Sequence, residues 1–112
     1  MELLVLILKK TDVLGELLRE LAAIGVTGAT VVEGTGMARA LANDDDFPMF
    51  GVLRRVFADA EREPSKVVMM VLTSEVMAQA KKVVHKVVGD FNEPNSGIMF
   101  ALPVSFVEGI GD

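Results

Sequence analysis

The chain contains no cysteine, no tryptophan and no tyrosine, and a single histidine. Without cysteine it can form no disulfide, offers no thiolate nucleophile and cannot assemble the thiolate clusters that hold structural zinc. Basic residues are outnumbered, with 11 Lys and Arg against 16 Asp and Glu for a formal charge of −5. Such a balance gives no electrostatic footprint for nucleic acid. Long hydrophobic runs are also missing: the apolar opening MELLVLIL is closed at once by KKTD. It is too short to cross a bilayer and lacks the basic leader and small-residue cleavage pattern of a signal peptide, so a soluble, cytoplasmic chain without membrane insertion is expected. The lone His85 falls among Lys81, Lys82 and Lys86 on the polar side of a helical pattern, which makes it a surface residue and not a general base. No pair of carboxylates stands at a useful spacing, and an enzyme is not expected.

What is present is apolar. The chain has 112 residues, 51% of them hydrophobic, which fits one domain with a real core, though a core small enough for self-association to add stability. Residues 3–8 form a continuous apolar run of strand length. Thr11 then offers a helix cap, and Val13, Leu14, Leu17, Leu18, Leu21 and Ile24 recur at helical steps before Gly25 stops the pattern. Residues 29–33, 66–73 and 98–107 read as three further strands, with Pro103 placed at an edge or bulge. Ser74 is the expected cap of a second helix, whose apolar face is Val76, Ala80, Val83, Val84, Val87 and Val88 and whose end is Gly89. The order is βαββαβ, an α+β sandwich. Between the second and third strands, Phe50, Leu53, Val56, Phe57 and Ala60 follow helical spacing after Pro48, so residues 38–64 are expected to be a helical insert.

LLVLIL and VVMMVL are apolar at odd and even positions alike. Both faces of the sheet should therefore be dry, yet two helices cover only one. Either the insert or another copy of the chain must cover the second face, and a second copy is the expectation because most of the strands share the pattern. Met69, Met70, Met77 and Met99 fall in these strands and the second helix, where methionine fills gaps in a core.

The stretch VVEGTGMARAL joins a strand to two glycines and an arginine. Gly34-Thr35-Gly36 is not the dinucleotide fingerprint, which needs a third glycine and a helix directly after the first strand. Exposed amides after a strand, with a guanidinium fork nearby, nevertheless suit an anion. Residues 1–39 resemble the start of the nitrogen regulatory P-II proteins: a short strand ending in lysine, a helix, Ile24-Gly25-Val26, then Gly28 and a strand through Thr30 and Glu33 into Gly36 and Arg39. The helix from Ser74 and the turn before Ile98-Met99-Phe100 resemble the family's second half. The resemblance implies a ferredoxin-like fold assembled as a homotrimer, with an adenine nucleotide (ATP, ADP or AMP, with Mg²⁺) in clefts between subunits. Gly36, Arg39 and Gly97 would face the phosphates and Thr30 the base, and a long loop would dock on a transporter or a metabolic enzyme in nitrogen regulation.

The chain departs from the family in particular places. Ala38 stands where the family has glycine and Thr35 where it has lysine; Asn95-Ser96-Gly97-Ile98 replaces a glycine-aspartate-glycine-lysine run; and VEGIGD supplies no arginine pair. Each lost charge-assisted contact typically removes ~1.5–3 kcal/mol, so triphosphate binding is expected to be weaker. Switching by modification of a loop tyrosine or serine is excluded, because the chain has no tyrosine and residues 35–63 contain no serine. Asp44, Asp45 and Asp46 suit a hard cation such as Mg²⁺ or a solvated tip, and with Phe47 they form the expected partner-docking segment. The alternatives are a scaffold trimer without ligand and a divalent-cation-binding protein like the CutA family, which shares the general architecture.

Overall fold

A computed structural model describes residues 1–42 and 64–110. The elements run β1 (Glu2–Leu8), a 3₁₀ turn (Thr11–Val13), α1 (Leu14–Ala23), β2 (Thr30–Gly34), α2 (Met37–Ala42), β3 (Ser65–Leu72), α3 (Ser74–Val88) and β4 (Gly97–Pro103). The four strands form one antiparallel sheet in the order β2-β3-β1-β4. This α+β arrangement, with α1 and α3 between the strands, is compatible with a ferredoxin-like fold. The insert helix expected from Phe50 to Ala60 lies outside the described residues, as do Asp44, Asp45, Asp46 and Phe47.

Side-chain alternation divides the sheet into two faces. Leu4, Leu6 and Leu8 of β1 and Val68, Met70 and Leu72 of β3 lie on the face that meets the helices, and all are buried. Leu17 and Leu21 of α1 and Met77, Ala80, Val84 and Val88 of α3 complete that core. The spacing of these helix residues matches the helical period, so each helix brings one stripe to the sheet. Fully burying a side chain of this size contributes roughly 1.5–3 kcal/mol. The ion pairs Lys66–Glu33 at 2.8 Å and Lys86–Glu20 at 2.9 Å, both part-exposed, matter far less; exposed pairs of this kind contribute roughly 0–1 kcal/mol.

The other face is apolar too. Across it run Val32, Val67, Ile7 and Ile98 in one row, Met69, Val5 and Phe100 in the next, and Val71, Leu3 and Leu102 in a third. Ile98, Phe100 and Leu102 retain 57%, 46% and 42% of their exposure. In the centre of this face Val5 is buried and Leu3, Ile7, Val67, Met69 and Val71 are half-buried, while its margins on β2 and β4 are exposed. Met69 is half-buried on this second face, while Met70 and Met77 are inside the helix-covered core and Met99 packs against it.

Several boundaries differ from the sequence expectation for local reasons. Thr11 is not at a cap position: a 3₁₀ turn takes up residues 11–13, Val13 precedes the helix and α1 starts at Leu14. Thr73, not Ser74, is the cap of α3: it adopts extended backbone and its hydroxyl accepts the Val76 N–H at 3.4 Å. β4 stops at Pro103, opposite Glu2 where β1 begins, so the expected continuation to Val107 has no strand to pair with. Gly25 and Gly89 end their helices as expected, with φ of +97° and +92°.

Leu6 lies fully buried on the central strand, so Leu6→Ala is expected to cost ~2–5 kcal/mol. Urea unfolding followed by circular dichroism should show the lower midpoint, and a loss under ~1 kcal/mol would contradict this placement of Leu6.

Candidate functional site

A cleft of about 590 Å³ lies where β1 and α3 begin, β3 ends and the α1–β2 loop passes. Gly28 and Thr30 enter it from the loop and β2, Met69, Val71 and Thr73 from β3 and the cap of α3, and Leu3 from β1. Among the described residues, no lysine, arginine, histidine, aspartate or glutamate lines it. Its polar groups are threonine hydroxyls and backbone, which suits a flat, neutral group held by hydrogen bonds and van der Waals contact more than a phosphate.

Thr30 is thus in a cleft, but the other expected site residues are elsewhere. β2 ends at Gly34, about 13 Å along the strand from Thr30 at ~3.3 Å per residue. Gly36 follows it, and its carbonyl accepts the Ala40 N–H at 3.0 Å, so the turn runs directly into α2. Arg39 is carried on α2; its side chain lies outside the described residues. Gly97 is at the same end of the sheet as Gly34, because Gly34 pairs with Ser65, Lys66 with Leu8 and Leu8 with Gly97. It is on the opposite edge, about 14 Å away across three strand spacings of ~4.8 Å. One chain therefore keeps Thr30, the turn that carries Gly36 and Arg39, and Gly97 apart from one another.

Packing accounts for two of the glycines. A Cβ on Gly34 would stand 2.9 Å from Ser65 Oγ and 3.1 Å from a Val67 methyl, and the buried Ser65 hydroxyl donates to the Gly34 carbonyl at 3.1 Å. In the GTG stretch it is the first glycine that this packing requires. Gly97 has φ of +143°, and a Cβ there would collide with the Ile7 carbonyl oxygen. The turn before it is fastened by Ser96, whose buried hydroxyl is shared between the carbonyls of Glu93 at 2.8 Å and Phe91 at 3.2 Å. The Ser96 carbonyl in turn accepts the amides of Lys9 and Lys10 at 3.2 and 3.4 Å.

Sequence reasoning missed Ser65, Ser96 and Lys66. Lys66 is a cation at the Gly34 end of the sheet, where its ammonium donates to Glu33 at 2.8 Å. The one signal available for Ser96 was its place in the turn cluster Asn95-Ser96-Gly97; a serine and a lysine at the start of an apolar strand carry none. Among the described residues, no three His, Asp or Glu side chains gather as a metal site would require. No helix among them is long and apolar enough to cross a membrane.

Because the Gly97 conformation is set by the approach of β1, Gly97→Ala is expected to destabilise the fold by at least ~2 kcal/mol, combining left-handed strain with overpacking. Thermal or urea unfolding checks this; a variant of wild-type stability would leave Gly97 free for a role at a ligand. No model of a protein family and no curated protein matches the sequence.

Proposed function

We propose that the protein is a P-II-like signalling subunit that works as a homotrimer. Three copies bury their open sheet faces against one another, and an adenine nucleotide binds in each cleft between neighbours. The base enters the uncharged cleft at Thr30 of one copy, while the turn at Gly36, with Arg39, meets the phosphates from the next. Residues 38–64 then present one of two conformations to a transporter or enzyme, in the cytoplasm and in the service of nitrogen regulation. The nucleotide controls the choice only to the extent that it binds one conformation more tightly than the other.

The observation that carries this reading is the apolar side chains left exposed on the second sheet face together with the separation of Thr30 from Gly36 along β2. Completing the burial of Ile98, Phe100 and Leu102, each about half exposed, would contribute roughly 1 kcal/mol apiece. Packing copies by that face also supplies the second chain that a site using both ends of β2 needs. A scaffold trimer without ligand is the second reading. It is favoured by Gly34 and Gly97, whose glycine character packing explains without a phosphate.

Calorimetric titration with ATP, ADP and AMP, with and without Mg²⁺, separates the two. The sensor predicts saturable binding near one nucleotide per chain, and in Arg39→Ala a loss of at least ~1.5 kcal/mol, about tenfold in Kd. An unchanged Kd would remove Arg39 from the site, and no heat from a folded oligomer would leave the scaffold.

A further inference from the structure

β3 outruns its edge partner. Pairing with β2 stops at Thr30 and Met69, whereas β1 stays paired as far as Leu72. Among the described residues, Met70, Val71 and Leu72 thus have a strand on one side only, and they border the cleft. An unpaired edge beside an apolar cleft is a template for an extended segment.

A segment of the chain itself reaches this cleft. After Pro103 the Val104 N–H donates to the Met1 carbonyl at 3.1 Å. The backbone then continues without a further backbone hydrogen bond among the described residues. Gly109, at φ +92°, redirects it, and Gly109 and Ile110 form part of the cleft wall. A Cβ on Gly109 would meet nothing within 4 Å, so glycine is needed there for its backbone angle and not for space. Ile110 keeps 47% of its exposure while Phe106 keeps 73%, so Ile110 is the residue of the two more withdrawn from water. Residues 104–110 carry no cation. What the tail offers the cleft is an apolar side chain, not a charge for a phosphate.

We propose that this tail is a displaceable plug on one side of the cleft: Ile110 closes that side, and a ligand that fills the cleft displaces the tail. The displacement step rests on the base-binding reading of the cleft; the plug itself does not. Burying about half of an isoleucine corresponds to roughly a fivefold preference for the plugged state, and a competing ligand's apparent affinity falls by that factor.

Methionine methyl groups report on this directly, since Met1, Met69 and Met70 line the cleft, while Met77 lies in the core and Met99 on the far edge strand. The experiment is NMR of the full-length chain labelled with methyl-¹³C methionine, comparing the wild type with Ile110→Asp, whose charge an uncharged cleft disfavours. Gly109→Ala, which opposes the positive φ, is the second variant. Both should move the Met69 and Met70 signals and leave Met77 and Met99 in place; unmoved Met69 and Met70 signals in both variants would overturn the plug. Adenosine, which has no phosphate, then probes the cleft alone and should bind Ile110→Asp about fivefold more tightly than wild type. Equal or weaker binding by the variant would make the tail a wall of the site and overturn displacement. Binding to neither chain would overturn the base reading and the displacement with it, while the methyl signals decide the plug by themselves.

Discussion

The central pair of strands is apolar on both faces and is covered on one. β1 and β3 place Leu4, Leu6, Leu8, Val68, Met70 and Leu72 under the helices, and the alternate residues Leu3, Val5, Ile7, Val67, Met69 and Val71 on the opposite side. Strand alternation makes this unavoidable: in such a run no shift of register turns the apolar residues away from water. On the edge strands of that side Val32, Ile98, Phe100 and Leu102 stay exposed, and large continuous apolar patches are rare on monomeric soluble domains. The second face is therefore the constraint from which the proposed assembly, and with it the proposed site, follows.

The site depends on that assembly through distance. The threonine in the uncharged cleft and the glycine-arginine turn are at opposite ends of β2, and Gly97 is on the other edge of the sheet. Chemistry divides in the same way. Among the described residues the cleft is lined by hydroxyls and apolar groups without a charged side chain, whereas Lys66 and Arg39 belong to the other end. A ligand with a neutral ring and an anionic tail matches both regions only when two copies present them side by side.

Much of the fold was legible in the sequence because it rests on periodicity. The apolar runs of β1 and β3, the stripes of α1 and α3, and the stops at Gly25 and Gly89 were each written in residue spacing. Capping was less legible: Thr73 and Ser74 are both hydroxyl residues, and only the extended backbone at Thr73 decides between them. α2 was not anticipated, because Gly36 reads as a turn and its carbonyl closes a helical turn on Ala40. Of the candidate site, Thr30 was placed by motif and does border a cleft. Gly97 was assigned to a ligand, whereas its positive φ and the Ile7 carbonyl give it a structural reason to be glycine. That reason depends on contact between residues far apart in sequence, which spacing does not encode, and the same holds for Ser65 against Gly34.

Native mass spectrometry of the full-length protein with ATP tests the central claim most directly, because one spectrum counts chains and nucleotides in each particle. The account predicts particles of three chains carrying up to three nucleotides, with none on a single chain. A single chain that retains nucleotide would contradict the shared site, and a particle of three chains that stays empty at saturating ATP would contradict the sensor.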